Sequence, residues 1–321
     1  METATAADSR PHIDEALARR LVDTQFPRWA GLPLKLLDPA GSDHVIYRLG
    51  EELSVRLPRH ADATGQARKE ARWLPRLAPH LPLAVPAPVA VGEPGCGYPW
   101  PWSVSRWLDG EVATVAALAD SVTAAVELAE FLWALQRCTP EDGTDGEAGG
   151  TGPAGDAGAS TDAGDDAGSA GDGLTGRPLS DRDRATRLAI ARYDGVFDGA
   201  AMSGLWDAAL HAPGWDRAPV WFHGDFHTGN LLTVGGRLSA VIDFGELGRG
   251  DPARDLMIAF TLMSARSRAV FREALGVDDA TWLRGRGWAL ATGLNAHSAY
   301  AAVSPRVAAQ TTRQITQALI G

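Results

Sequence analysis

The stretch that decides the fold is HGDFHTGNLLTVGGRLSAVIDFG, residues His223–Gly245. Two apolar and partly alternating runs in it, NLLTV and RLSAVID, flank the dipeptide Gly235–Gly236. A Gly-Gly pair between two such runs predicts a β-hairpin with a two-residue turn. With that turn, Asn230 is predicted to lie opposite Val241. Asp243 then becomes the diagonal neighbour of Asn230 on the same face, because side chains two apart on a strand share a face.

The polar residues of this stretch have the spacing of a phosphoryl-transfer site. Asn230 follows Asp225 by five residues, and Asp243 follows Asn230 by thirteen. In kinase-type transfer, one carboxylate accepts a hydrogen bond from the attacking hydroxyl, while an amide and a second carboxylate hold Mg²⁺ against the phosphates. The hairpin would bring the last two side chains together. The alternative is a Gly-Gly hairpin that carries polar residues by chance.

Composition indicates a globular chain with room for two lobes. It has 321 residues, of which 45% are hydrophobic and 22% charged, as in ordinary globular proteins. No uncharged apolar run approaches the roughly 18–20 residues that span a bilayer. Cys96 and Cys138 form neither a disulfide framework nor a metal motif, so a reducing cytoplasm is expected. We expect no nucleic-acid and no membrane partner, and the oligomeric state stays open.

The net charge of −10 comes mostly from one segment. Residues 141–173 contain nine acidic and no basic residues among Gly, Ala, Ser and Thr, and without them the net charge is −1. Such a composition offers too little apolar surface to offset the entropy of ordering, so we predict a disordered acidic insertion. The acidity therefore does not indicate an acidic cleft. The alternative is a segment that attracts a cationic ligand.

Strand-like segments dominate up to about residue 107, and helical patterns dominate after it. LPLKLLD, HVIYRLG and LSVRLP read as three antiparallel strands after an N-terminal helix. Gly41 and Ser42 lie in the first connection, where backbone N–H groups could approach phosphates. The chain is thus predicted to be α+β, with a small β-rich lobe followed by a larger, mainly helical lobe.

Three motifs resemble the aminoglycoside phosphotransferase family, small-molecule kinases with a protein-kinase-like fold. They are HGDFHTGNLL (His223–Leu232), IDFGELGRGDPARDL (Ile242–Leu256) and YPWPWSVSRWLDGE (Tyr98–Glu111). The order of lobes fits from residue 13 to the end, apart from the insertion. The resemblance implies a nucleotide-binding lobe at 1–105 and a catalytic and acceptor-binding lobe at 106–321.

The resemblance also implies a role for each polar residue of the second lobe. Asp225 would be the catalytic base, and Asn230 and Asp243 the Mg²⁺ ligands. Asp255 would be a carboxylate that holds the backbone of the catalytic loop. Its alternative role is a helix cap or first-turn acid. His223 and His227 flank the base, and each would support the loop by hydrogen bonding.

In the first lobe, the usual strand lysine of such kinases is replaced. These enzymes pair a lysine with a helix glutamate to grip the α- and β-phosphates. The strand LSVRLP offers Arg56 instead, and Glu70 follows fourteen residues later on a predicted helix. Arginine keeps the charge but has a longer, forked head. Only Lys35 and Lys69 occur among 30 basic residues, so we expect a substitution that retains function.

The hinge between the lobes is expected near Ser105–Asp109, where backbone groups of Arg106 and Trp107 would meet the adenine edge. The expected cofactors are ATP and Mg²⁺, and GTP is not excluded. The acceptor is expected to be a small hydroxylated molecule. Candidate acceptor-site residues lie in the C-terminal helices: Asp278, Asp279, Trp282, Trp288, Asn295, His297 and Tyr300.

Several functions remain open. The acceptor could be an aminoglycoside or another antibiotic, or a metabolite such as homoserine or choline. A metal-dependent phosphoesterase could be built on His223, Asp225, His227 and Asp243, although it gives no role to Asn230. A nucleotide-binding pseudokinase without turnover is the non-enzymatic alternative, and the altered strand lysine is its only support.

Overall fold

The computed structural model of the protein describes residues 11–37, 43–139 and 174–321. Two predictions lie outside these residues. One is the approach of Gly41 and Ser42 to phosphates, and the other is the disorder of the acidic insertion at 141–173.

The N-terminal part is a five-stranded antiparallel sheet in the order β1-β2-β3-β5-β4. Its strands are β1 Leu34–Leu36, β2 His44–Leu49, β3 Leu53–Pro58, β4 Pro88–Gly92 and β5 Trp102–Arg106. Two helices accompany it: α1 Glu15–Gln25 and α2 Gln66–Leu77. Helix α1 begins where the carboxylate of Asp14 accepts the N–H of Leu17 at 2.7 Å, which satisfies one of the first-turn donors. Its buried face joins the sheet in one apolar cluster.

The C-terminal part is mainly helical and surrounds a second, larger apolar cluster. Its strands are β6 Glu111–Val112, β7 Val220–Phe222, β8 Leu231–Val234, β9 Arg237–Val241 and β10 Gly248–Gly250. Its α-helices are α3 Val115–Leu118, α4 Val122–Arg137, α5 Asp183–Tyr193, α6 Gly199–His211, α7 Ile258–Thr261, α8 Ala265–Leu275, α9 Asp279–Tyr300 and α10 Pro305–Ile320. Short 3-10 helices cover Pro27–Trp29, Ala61–Ala63, Ala78–His80, Leu179–Arg182, Thr228–Asn230 and Pro252–Met257.

The predicted α+β, protein-kinase-like architecture is confirmed: an antiparallel sheet comes first and a helical part follows. The end of α2 joins the larger cluster, because Leu74 and Leu77 pack there rather than under the sheet. Helix α2 therefore contacts both parts of the protein. Among the described residues, no helix has both the length and the apolarity to cross a membrane.

The hairpin β8–β9 forms, but the predicted register is wrong beyond its first pairs. A β-bulge leaves Ser239 unpaired and shifts the ladder by one residue, so Leu231 pairs with Val241. The prediction that Asn230 faces Val241 therefore fails. Instead, the carbonyl oxygen of Asn230 accepts the N–H of Ile242 at 2.9 Å. A bulge inserts one extra residue into one strand, and an apolar–polar pattern does not reveal it.

Candidate active site

A buried carboxylate fixes the loop that follows β7. Asp255 lies in the 3-10 helix Pro252–Met257 and is 1% exposed. Its two oxygens accept the backbone N–H groups of His223 at 2.7 Å and of Gly224 at 2.8 Å. Gly224 has φ +89, and a Cβ there would lie 2.2 Å from the carbonyl oxygen of Glu246. This turn therefore requires glycine, and Asp255 satisfies two donors that would otherwise be buried without a partner.

His223 is fully buried, and both of its ring nitrogens have partners. Nδ1 accepts the N–H of Asp225 at 3.2 Å, and Nε2 lies 3.0 Å from the carbonyl oxygen of Ile242. Nδ1 can accept only when it carries no proton, so Nε2 is the protonated nitrogen and donates to that carbonyl. The ring thereby connects the catalytic loop to the strand end that precedes Asp243.

His227 is a second polar neighbour of the proposed base. Its Nδ1 accepts the N–H of Gly229 at 3.0 Å, which leaves the proton on Nε2. That nitrogen lies 3.4 Å from Oδ2 of Asp225. Burial acts to lower the pKa of His227, but the charge and hydrogen bond of Asp225 outweigh it, so the pKa lies above its usual value.

The carboxylate of Asp225 is positioned and still accessible, with its side chain 43% exposed. The amide nitrogen of Asn230 donates to the backbone oxygen of Asp225 at 2.9 Å and to its Oδ2 at 3.2 Å. Burial acts to raise the pKa of Asp225, but His227, His223 and Asn230 together hold it below its usual range. The group is therefore ionised at neutral pH and can accept a hydrogen bond.

Asn230 and Asp243 present a donor set that suits Mg²⁺. Because the amide nitrogen of Asn230 is used on Asp225, its amide oxygen is left for another partner. Asp243 has φ +64, a left-handed conformation that Asp tolerates better than most residues. Its Oδ1 accepts from Arg56 at 3.0 Å, and Oδ2 has no protein partner among the described residues. Amide and carboxylate oxygens are ligands that Mg²⁺ accepts.

Elsewhere in the described residues, no group of three or more His, Cys, Asp or Glu side chains could hold a metal ion. Mg²⁺ is commonly bound by one or two carboxylates together with the phosphates of a substrate. The pair Asn230 and Asp243 fits that mode and does not fit a metal cage made by the protein alone.

Arg56 joins two carboxylates from different parts of the chain. Its Nη1 donates to both oxygens of Glu70, at 3.0 and 2.8 Å, and its Nη2 donates to Asp243 at 3.0 Å. Glu70 is 1% exposed, so its charge depends on this partner. Burial acts to lower the pKa of Arg56, but the two carboxylates raise it above its usual value. The arginine therefore stays charged in the interior.

The predicted hinge residues lie at the end of β5 and directly after it. The N–H of Trp107 donates to the carbonyl oxygen of Glu52 at 2.7 Å, and its indole N–H donates to Asp109 at 2.9 Å. Its backbone donor is thus already used. Arg106 is exposed at the end of β5. That the backbone groups of Arg106 and Trp107 meet the adenine edge stays a prediction.

Arg254 also supports the loop, and it was not among the predicted residues. Its Nε donates to the carbonyl oxygen of Gly224 at 2.7 Å, and its Nη2 pairs with Glu246 at 2.7 Å. It therefore holds the carbonyl group of Gly224, while Asp255 accepts the N–H of the same residue. The available signal was its position in the motif DPARDL, one residue before the predicted scaffold carboxylate.

Fold and site together place the protein among phosphotransferases built on the protein-kinase plan. The family model described as "Phosphotransferase enzyme family" matches residues 36–289, and the chain belongs to that family. The predicted family and the predicted enzyme class, an O-phosphotransferase acting on small molecules, are confirmed.

Solved structures of similar fold cover nearly the whole chain. The GDP and kanamycin complex of APH(2'')-IIIa has a TM-score of 0.67 at 17% identity and covers 93% of this chain and 97% of its own. The GDP complex of wild-type aminoglycoside 2'-phosphotransferase-IIIa has a TM-score of 0.68 at 16% identity, covering 96% and 99%. The macrolide 2'-phosphotransferase MphH from Brachybacterium faecium has a TM-score of 0.58 at 21% identity, covering 93% and 97%.

At these identities, the likeness to solved structures establishes the fold alone. None of the curated proteins compared with the chain by sequence matches it. The assignment of roles to individual residues therefore depends on the geometry of this site.

Proposed function

We propose that the protein transfers the terminal phosphoryl group of a purine nucleoside triphosphate to a hydroxyl group of a small molecule. The observation that carries this proposal is the position of Asp225. Its ionised carboxylate is partly exposed and is held by Asn230 and His227. Asn230 in turn leads into the hairpin that ends at Asp243, the carboxylate bound by Arg56.

Asp225 orients the acceptor. Its carboxylate accepts a hydrogen bond from the acceptor hydroxyl, whose oxygen attacks the terminal phosphorus. The bond between that phosphorus and the bridging oxygen breaks, and the nucleoside diphosphate leaves. The hydroxyl proton passes to Asp225. Because the pKa of Asp225 is below its usual range, the proton is transferred late, which suits the loose transition state of phosphoryl transfer.

Asn230 and Asp243 would hold Mg²⁺ through the amide oxygen of one and the carboxylate of the other. The ion, when bound, neutralises negative charge on the phosphates. Arg56 contributes a fixed positive charge beside this pair, and Glu70 keeps the guanidinium in place. We propose that Arg56 replaces the usual strand lysine toward the α- and β-phosphates.

The remaining nucleotide contacts are also proposals. Backbone groups of the hinge, including Arg106 and Trp107, would border the adenine edge, and Gly41 and Ser42 would approach the phosphates. Structures of similar fold are described as complexes with GDP, ADP or ATP. Both ATP and GTP therefore belong in any test of the donor.

The acceptor we propose is a hydroxylated antibiotic of the aminoglycoside or macrolide type. Support comes from the neighbours of similar fold, which include complexes with kanamycin, streptomycin and gentamicin and a macrolide phosphotransferase. Metabolite kinases of the homoserine or choline type are the second candidate. We also keep the cytoplasm as the expected compartment, because two cysteines in 321 residues make no disulfide framework.

The phosphoesterase alternative loses its ligand set. Both ring nitrogens of His223 have backbone partners, and Nδ1 of His227 accepts a backbone N–H. Neither ring can turn to a metal without breaking a bond that holds the loop. The pseudokinase alternative loses its support as well, because Arg56 makes the helix-glutamate pair that a strand lysine makes.

The proposed function is tested by a phosphotransfer screen. Purified protein is incubated with Mg²⁺ and either ATP or GTP, over a panel of aminoglycosides, macrolides and amino alcohols. Phosphorylated product is detected by mass spectrometry, and phosphate release without an acceptor is measured in parallel. We expect one acceptor class to be phosphorylated. Nucleotide binding without turnover on any acceptor would contradict the proposal, and nucleotide-independent phosphate release would favour the phosphoesterase.

A further inference from the structure

A cavity of about 410 Å³ lies beside the catalytic loop, and its walls are rich in cations. It is lined from α2, from residues 174–182, from β7, from the segment after Asp243 and from α9. Four basic side chains, Lys69, Arg177, Arg182 and Arg254, face two acidic ones, Asp181 and Glu246. We call this the cationic pocket. Asp225, Asn230 and Asp243 do not line it, so the proposed phosphoryl transfer does not use it.

One of the two acids in the pocket is already neutralised. Glu246 pairs with Arg254 at 2.7 Å, and the guanidinium of Arg254 also lies over the ring of Trp288, 5.3 Å from its centroid. Asp181 is exposed and has no ion pair with a described residue. With four basic and two acidic side chains, the lining keeps a net charge of +2.

Three cations lack a bonded partner among the described residues. Arg182 is partly buried and lies over Trp288, with its guanidinium carbon 5.8 Å from the ring centroid. Lys69 on α2 is also partly buried, and Arg177 is exposed at the rim. None of the three has a hydrogen bond or salt bridge to a described residue. Partly burying a charge without a partner costs free energy. A bound anion would offset this cost for Lys69 and Arg182.

The pKa values of the buried members point in the same direction. Burial lowers the pKa of Arg182, and the neighbouring charges of Arg254 and Arg177 lower it further, against Glu246. Burial also lowers the pKa of Lys69. Both protonated side chains are thus held in an environment that disfavours them. An anion between them would remove that penalty.

Backbone hydrogen bonds fix the part of the pocket wall that comes just before Arg177. The N–H of Gly176 donates to the carbonyl oxygen of Arg249 at 2.9 Å, and the N–H of Arg249 donates to that of Leu174 at 2.6 Å. A Cβ on Gly176 would lie 2.6 Å from the ring of Phe222. Arg177 follows directly on this ladder, so its backbone is fixed at the rim.

We propose that the cationic pocket binds a dianionic oxyanion, either free phosphate or the phosphate group of a small ester. Two guanidinium groups from residues 174–182 and one ammonium group from α2 line the same cavity. Arginine forks suit phosphate oxygens, and a lysine supplies a compact charge. The volume is within the range of small-molecule sites and leaves room beyond one phosphate for an organic group against Trp288. An ammonium-rich molecule would meet charges of its own sign there.

The occupant would also contact the catalytic apparatus indirectly. Arg254 lines the pocket and donates to the carbonyl oxygen of Gly224, the residue before Asp225. Lys69 precedes Glu70 on α2, whose carboxylate holds Arg56. Anion binding in the cationic pocket does not require turnover. It can therefore be tested whether or not the phosphotransfer screen finds an acceptor.

The test is calorimetric titration with inorganic phosphate at constant ionic strength, in saturating ADP and Mg²⁺ so that the nucleotide site is occupied. Arg182→Gln and Arg177→Gln are expected to weaken phosphate binding about tenfold or more, as loss of a charged hydrogen bond predicts. Arg177 is exposed, so its variant keeps the test valid if Arg182→Gln does not fold. Arg184→Gln is the matched control, because Arg184 is exposed on α5 and does not line the pocket.

A second titration with phenyl phosphate distinguishes the two sources of the anion. Tighter binding of phenyl phosphate than of phosphate, lost in Arg182→Gln, identifies an ester site; equal binding of both identifies a site for the free ion. The proposal is overturned if phosphate does not bind once ADP is present, or if Arg182→Gln, Arg177→Gln and Arg184→Gln bind it equally.

Discussion

Arg56 and Asp243 are 187 residues apart in the chain, and Nη2 of the arginine donates to Oδ1 of the aspartate at 3.0 Å. The same guanidinium bonds to both oxygens of Glu70. One side chain therefore connects β3, α2 and the end of the β8–β9 hairpin. A lysine ammonium is a single compact charge, whereas the planar fork of arginine can serve two carboxylates in fixed directions.

We predict that Arg56→Gln destabilises the fold strongly. Glu70, which is 1% exposed, would be left without a cation, and removing one partner of a buried ion pair costs about 3–5 kcal/mol. The free energy of unfolding from urea titration measures this. Replacing both Arg56 and Glu70 by Gln should recover part of the loss. Arg48→Gln, on the neighbouring strand, should change stability by less than about 1 kcal/mol. Equal stability of Arg56→Gln and the unmodified protein would contradict the prediction.

Asp255→Ala is expected to destabilise the catalytic loop. It would leave the backbone N–H groups of His223 and Gly224 buried and unpaired, at about 1–3 kcal/mol each. Asp255→Asn keeps one acceptor oxygen and should cost less. Urea unfolding of both variants gives the comparison. If Asp255→Ala unfolds at the same urea concentration as the unmodified protein, the two hydrogen bonds to Asp255 do not stabilise the fold.

Because His44 is buried, we predict that the protein loses stability in mild acid. Burial, together with the nearby charge of Arg56, lowers its pKa from 6.5 to about 3. In the unfolded chain, His44 becomes protonated below pH 6.5. In the folded protein, it stays neutral down to about pH 3. The contribution of His44 to the free energy of unfolding is complete above pH 6.5. Below pH 6.5 it falls by about 1.4 kcal/mol for each pH unit.

Unfolding free energies at pH 7.5 and pH 5 check this for the unmodified protein and for His44→Gln. The stability difference between the two proteins should change by about 2 kcal/mol between these pH values, in favour of the variant at pH 5. His80→Gln, at an exposed position, serves as the control and should show no such change. A pH-independent difference for His44→Gln would refute the linkage.

Asp243→Asn is expected to weaken metal binding while keeping the fold. Asn tolerates the left-handed conformation of residue 243, so the turn should survive. Removing a residue that only hydrogen-bonds to a metal ligand costs about 10–100-fold in metal affinity, so removing a charged ligand should cost at least about tenfold. Mn²⁺ binding in the presence of ADP, followed by electron paramagnetic resonance, measures it. Asp62→Asn, at an exposed position, is the control, and unchanged Mn²⁺ affinity of Asp243→Asn would exclude Asp243 as a ligand.

The sequence predicted the strands and the hairpin through periodicity and short separations, and the family resemblance predicted the pairing of Arg56 with Glu70. The sequence did not predict how Asn230 and Asp243 are oriented. That depends on a bulge at Ser239 and a left-handed backbone at Asp243, neither of which changes the apolar pattern.

Contacts between distant elements were likewise not predictable. Arg254 meets Gly224 and Glu246 only after three segments have packed together. The bond between Arg56 and Asp243 spans both parts of the protein. Of the predicted acceptor-site residues, Trp288 lines the cationic pocket. Asp278 instead caps α9 by accepting the N–H of Thr281 at 2.7 Å.

Asp225→Ala shows most directly whether Asp225 orients and deprotonates the acceptor hydroxyl. Turnover of whichever acceptor the screen identifies should be measured beside nucleotide affinity and thermal unfolding. We predict that kcat falls about 10²–10⁴-fold, the usual contribution of a general base, while nucleotide affinity and unfolding temperature stay near those of the unmodified protein. A folded Asp225→Ala protein that keeps near-full phosphotransfer would show that Asp225 is not the base.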